Sequence, residues 1–280
     1  MAAQFFNVVV HREDGNRDLN GLCAGFEMKN WRKEQLVDYL MDYIPEFALT
    51  YSELESIDAR DIRRMLRNAA TAIYNSEKYK NRGEFGELLL HAVIRELYNT
   101  IPAISKIYYK DGPNETVKGF DAVHVVCHDD DLELWLGEVK FYTNINQAIN
   151  DVISEIFDHI KRDYLRNEFI AITNKIDARW PHANKLKTLL DPNTSLDMVF
   201  DRACIPVLLT YDSKVIAKFD KNCEEYIEEI TNEFNQLYER FVEKISDNVP
   251  LTVHLFLLPL KTKADLISCF NERLRQLQCI

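Results

Sequence analysis

LWLGEVKFY, residues 134–142, has the apolar density of a buried strand, yet Glu138 and Lys140 stand two apart within it. An unpaired buried charge is costly, so charges in such a run pair with one another or hold a ligand. Side chains alternate along a strand, so Leu132, Leu134 and Leu136 share a face that Glu138 and Lys140 continue. The segment before it, KGFDAVHVVC (118–127), reads as a second strand, with Val123 and Val125 on a face that Asp121 continues. A turn centred on Asp129 and Asp130 sets Cys127 opposite Leu132, Val125 opposite Leu134 and Val123 opposite Leu136. Asp121 then falls opposite Glu138.

Two carboxylates across a ladder repel each other. They can share a proton, with a raised pKa, or hold a divalent cation between them. Two carboxylates, a backbone carbonyl such as that of Val139, and water are hard oxygen ligands that suit Mg²⁺ or Mn²⁺. Such an ion polarises a phosphate and generates hydroxide, and a nearby lysine orients the water or stabilises developing charge. The residues point to metal-assisted phosphodiester hydrolysis. An ordinary surface ion network at a strand end would use the same three side chains.

Around this pair, residues 82–98 read as a helix, 104–110 as a strand, 143–167 as a long helix and 168–174 as a strand. The order is α-β-β-β-α-β. Upstream, 5–10 reads as a strand and 31–47 as a helix with Asn30 as N-cap. Ser52 and Glu55 form a capping-box pattern, and a helix follows to Tyr74. Arg60, Arg63, Arg64 and Arg67 give that helix either a solvated face or one that contacts phosphate or a partner. Downstream come a helix near 179–190, a strand at 204–212, a helix at 223–245, a strand at 251–258 and a final amphipathic helix. This alternation indicates an α/β sheet with helices on both faces.

The net charge of −11 means the overall field does not attract nucleic acid. Any such contact needs a local basic patch, a metal ion or a partner. Six cysteines without a CxxC pair argue against a zinc ribbon and for free thiols. No secretory pattern or membrane-length apolar run is present, so a cytoplasmic protein with no membrane partner is expected.

GFD…LGEVK (119–121 and 136–140) resembles the two core motifs of the PD-(D/E)xK nuclease superfamily, with Phe120 where the superfamily name has Pro. RGEFGELLLH, VKGFDAVHV and LWLGEVKFY, with the helix that follows, resemble the HamA family, the nuclease subunit of the Hachiman anti-phage defence system. The likeness is detailed over 80–175 and extends through most of the chain in length and order. It implies a restriction-endonuclease-like core, a mixed sheet flanked by helices, with an N-terminal strand and helical segment (1–79) as a partner contact. The nuclease domain would span 80–280, its core at 80–175 followed by a C-terminal α/β extension. It also implies a Mg²⁺-dependent deoxyribonuclease, held in a hetero-oligomer with the helicase subunit HamB and acting on DNA. An RNase effector, or a non-cutting regulatory subunit of the helicase, are the alternatives, and the complete Asp121, Glu138 and Lys140 set argues against the second.

By the resemblance, Asp121 and Glu138 bind the metal and Lys140 is the catalytic lysine. An acid on the first core helix joins them: Glu87 or Glu84, with Glu87 preferred because it lies nearer the helix body. Gln147 is either an accessory polar residue or, more simply, a surface glutamine. His91 reads as structural. His124 and Trp135 fall on the opposite strand face and stay outside the site. The stripe Tyr226, Ile230, Phe234, Leu237, Phe241 and Ile245 is a candidate partner contact, with core packing the commoner use of such a stripe.

Overall fold

The computed structural model describes residues 4–58, 60–74, 83–105, 119–128, 131–245 and 249–279. The chain opens with strands β1 (Asn7–Asp14) and β2 (Arg17–Cys23), a short ribbon of β3 (Phe26–Glu27) and β4 (Asn30–Trp31), and helices α1 (Lys33–Ala48), α2 (Tyr51–Glu55) and α3 (Ile62–Tyr74). Helix α4 (Gly83–Tyr98) leads into strands β5 (Ile101–Ser105), β6 (Ala122–His128) and β7 (Asp131–Phe141). Helices α5 (Ile145–His159), α6 (Arg162–Lys175), α7 (Ala183–Leu189) and α8 (Leu196–Phe200) precede strand β8 (Ala203–Asp212). Helices α9 (Lys214–Lys218) and α10 (Glu224–Lys244), strand β9 (Thr252–Leu260) and helix α11 (Lys263–Gln278) complete the described chain.

Among the described residues, seven strands form one mixed sheet in the order β1-β2-β9-β8-β7-β6-β5. Strands β2, β9, β8 and β7 run parallel, and β1, β6 and β5 pair antiparallel at the two sides. Helix α4 crosses the face of β7 that carries Gly137 and Val139. The approach is close enough that a Cβ on Gly86 would stand 2.8 Å from Phe141 Cβ, and one on Gly137 2.8 Å from Leu90 Cδ2. Helices α5 and α10 cover the opposite face. Phe234 of α10 lies directly against Gly21 of β2 there. Residues Tyr226 to Ile245 of the α10 stripe are buried in this packing, so the stripe serves the core rather than a partner.

The segment 143–167 is two helices, broken at Ile160 and Lys161, and 168–174 continues α6 instead of forming a strand. EFIAITN is rich in β-branched and aromatic residues, but Leu165, Phe169 and Ile172 bury at helical spacing, and that packing overrides local preference. The strand that completes the α-β-β-β-α-β order is therefore β8, parallel to β7. The capping box belongs to Thr50 and Glu53, two residues before Ser52 and Glu55. Asn30 pairs in β4, and Arg32 precedes α1 without a side-chain cap. The strand expected at 104–110 is Ile101–Ser105; residues 106–118 lie outside the described residues, as do Asp129 and Asp130 of the expected turn.

Candidate functional site

The pairing of β6 with β7 has the expected register: Cys127 with Leu132, Val125 with Leu134, Val123 with Leu136. Asp121 sits one residue before β6, and its N–H donates to the Gly137 carbonyl at 2.7 Å, which prolongs the ladder. The Val139 N–H donates to Asp121 Oδ2 at 2.9 Å, which fixes that carboxylate against the backbone between Glu138 and Lys140. Asp121, Glu138 and Lys140 are 8%, 1% and 7% exposed. All three side chains are buried.

Gly119 holds the approach to Asp121. Its φ of +155° disfavours a side chain, and a Cβ there would stand 2.5 Å from Glu168 Oε1 on α6. Gly119→Ala is expected to cost about 1–3 kcal/mol in urea denaturation, through backbone strain and this clash. An unchanged midpoint would show that the loop relaxes freely.

Helix α5 supplies two residues that sequence reasoning missed. His159 Nδ1 lies 2.5 Å from Glu138 Oε1, and Glu155 forms an ion pair with the Lys140 ammonium. Their signal was present: Ala148, Val152, Glu155 and His159 recur at spacings of four, three and four, so both polar residues continue a buried stripe of α5. The His159 ring stacks on Tyr164, with centroids 4.3 Å apart and planes at 14°, and meets the edge of Phe120 at 5.1 Å.

Burial pushes the Glu138 carboxyl up to about 7, and the charges of Asp121 and Glu155 push the same way against the hydrogen bond from His159. Burial opposes the imidazolium of His159, but Glu138 more than offsets it and the pKa rises. At Lys140, burial acts against the ammonium and Glu155 outweighs it, so the pKa rises and the lysine stays cationic. Two buried carboxylates meeting at a ladder end, with one acid driven toward neutrality, form a hard-oxygen donor set short of positive charge. That chemistry fits Mg²⁺ or Mn²⁺.

Of the first-helix acids, Glu87 is buried in the body of α4, whereas Glu84 lies in its first turn and is half-buried. Helix α4 lies on the sheet face opposite that of Glu138 and Lys140. Gln147 is exposed, as a surface glutamine would be. Arg60, Arg63, Arg64 and Arg67 are exposed on or just before α3, with Arg60 paired to Asp58 and Arg64 to Asp61.

His91 and His124 are structural. Both are buried, and burial pushes both pKa values down, which favours the neutral rings. One proton arrangement satisfies every bond. The Thr100 hydroxyl donates to His124 Nδ1 at 2.8 Å, and His124 Nε2 donates to His91 Nδ1 at 3.1 Å. His91 Nε2 then donates to Glu46 at 2.9 Å, where Arg95 also donates. Burial would raise the Glu46 pKa, but these donors hold it at about 2. Its folded value is depressed, so its contribution is present above about 4.5 and is lost as pH falls toward 2. Glu46→Ala is expected to lower the unfolding free energy by about 1–3 kcal/mol at pH 7, because His91 loses its acceptor. A variant as stable as wild type in urea would contradict the network.

The structure defines a mixed α/β protein with a buried acid–lysine–histidine cluster at one end of its central strands. A family model described as HamA matches residues 3–274, and the chain belongs to that family. Membership fits a component of the Hachiman anti-phage defence system. No curated protein matches the chain. No helix among the described residues is long and apolar enough to cross a membrane.

Proposed function

We propose that this chain is a metal-dependent DNA nuclease effector of an anti-phage defence complex, controlled by a partner helicase. The observation that carries this reading is the buried juxtaposition of Asp121, Glu138 and Lys140 at the end of the β6–β7 ladder. Asp121 and Glu138 would hold Mg²⁺ or Mn²⁺. The bound ion would supply a polarised phosphate and an acidified water. Lys140 provides a fixed positive charge for the phosphate, and Glu155 positions its ammonium. His159, wedged between Tyr164 and Phe120, fixes the orientation of the Glu138 carboxylate. The net charge of −11 suits an enzyme that relies on its partner for DNA capture.

The test uses the complete complex with its helicase subunit, HamB by the family resemblance. Linear duplex, single-stranded and circular DNA, and RNA, are each incubated with Mg²⁺ or EDTA. DNA is expected to be cut with Mg²⁺ and left intact with EDTA. Cleavage of RNA in place of DNA would select an RNase effector, and an inert complex would select the non-cutting regulatory subunit.

A further inference from the structure

A second cluster lies at the other end of the sheet and on its other face. Glu133, Cys204 and His254 come from three adjacent strands, near the N-terminal ends of β7, β8 and β9. One ligand atom from each lies within 4.8 Å of the other two. The strand register explains the convergence. Trp135 pairs with Cys204 and Pro206 with His254, so Glu133, Cys204 and His254 all point to the face opposite Glu138.

The surroundings hold these donors in place. Cys204 is fully buried, and His254 is nearly so. The indole of Trp135 lies parallel to the His254 ring, at 5° and 4.9 Å between centroids, and Tyr98 packs against both. Asp18 of β2 places Oδ2 2.9 Å from His254 Nδ1, an ion-pair separation that is not aligned as a hydrogen bond. A carboxylate beside a ligating imidazole is the usual device for orienting it and raising its basicity. Glu133 keeps about a third of its side chain in solvent, and its Oε2 lies 3.6 Å from His128 Nε2.

We propose that Glu133, Cys204 and His254 form a second metal site, for a thiophilic divalent cation of the Zn²⁺ class, with Asp18 as its supporting carboxylate. Thiolate, imidazole and carboxylate together select Zn²⁺ over Mg²⁺, so this site and the all-oxygen site at Asp121 and Glu138 take different ions. The bound ion ties β7, β8 and β9 together at the end of the sheet remote from Lys140. The donors stand 71 and 50 residues apart in the chain, beyond the reach of any short-spacing motif.

The test is a titration of the metal-stripped full chain with Co²⁺. The wild type is expected to develop a thiolate-to-cobalt charge-transfer band that saturates at one equivalent and is displaced by one equivalent of Zn²⁺. Cys204→Ser is expected to lose the band. Glu133→Gln, at a half-exposed position that does not disturb the core, is expected to weaken Zn²⁺ binding at least about tenfold. It decides the matter if Cys204→Ser fails to fold. Absence of the band in folded wild type overturns the proposal, as does unchanged affinity in Glu133→Gln. A band that persists in Cys204→Ser also overturns it and assigns the thiolate elsewhere, such as Cys127, whose Sγ lies 3.5 Å from His182 Nε2. None of these readouts depends on nuclease activity.

Discussion

Lys140→Ala is expected to reduce DNA cleavage by the complete complex on the order of 10²–10³-fold, with little loss of Mn²⁺ affinity. The lysine is buried in the ladder-end cluster, and its ammonium stays charged. Charge aimed at a developing oxyanion inside a water-poor site acts far more strongly than the same charge in bulk water. The substitution removes that charge but leaves both proposed metal-binding carboxylates, so catalysis and metal binding separate. Lys140→Arg should not restore the rate, because the planar guanidinium cannot occupy the point-charge position beside Glu155. Folding should survive, since Glu155 is partly exposed and regains water when its partner is removed. Activity within a fewfold of wild type would take Lys140 out of the chemistry.

Glu138→Gln is expected to stabilise the metal-free protein above pH 7. The folded-state pKa of Glu138 is raised from 4.5 to about 7, so the folded chain holds a proton that the unfolded chain has released. Stability therefore falls as pH rises from about 4.5 through 7, by on the order of 3 kcal/mol. His159 acts in the same direction. Its raised pKa gives a contribution that is full below 6.5 and lost as pH rises through the folded value. Glutamine removes the acid and also the charge that raised His159, so both slopes should flatten. The thermal midpoint at pH 8 should rise by several degrees. Mg²⁺ should stabilise the wild type more at pH 8 than at pH 5.5, and should leave Glu138→Gln unmoved. A variant less stable than wild type at pH 8, with the pH slope intact, would sink this account of the buried pair. Stability held back by a functional charge cluster is a common trade-off.

The part of the site carried by strands was legible because alternation has a period of two and the turn fixes the register. Asp121, Glu138 and Lys140 follow from that arithmetic once the two strands are paired. What comes from helices was harder. Glu155 and His159 continue the Ala148 and Val152 stripe of α5, but that spacing marks only a buried face and does not say that the face meets Glu138 and Lys140. EFIAITN was misread because β-branched content competed with a helical burial pattern that shows only when Leu165 and Phe169 are counted together. Strand β2, RDLNGLC, carries Arg17, Asp18, Asn20 and Gly21, so neither alternation nor an apolar run marks it. Its place between β1 and β9 is set by pairing with residues more than 200 positions away. The Glu133, Cys204 and His254 cluster was invisible for the same reason. It depends on strand order, which no local pattern encodes.

The central claim is that the cluster at the β6–β7 ladder end is a metal-dependent phosphodiesterase centre. Its most direct test is DNA cleavage by the complete complex carrying wild type or Glu138→Ala, each with Mg²⁺. The wild-type complex should cut, and the Glu138→Ala complex, still assembled with its partner, should not. Equal cutting by the two would place the chemistry elsewhere and contradict the account.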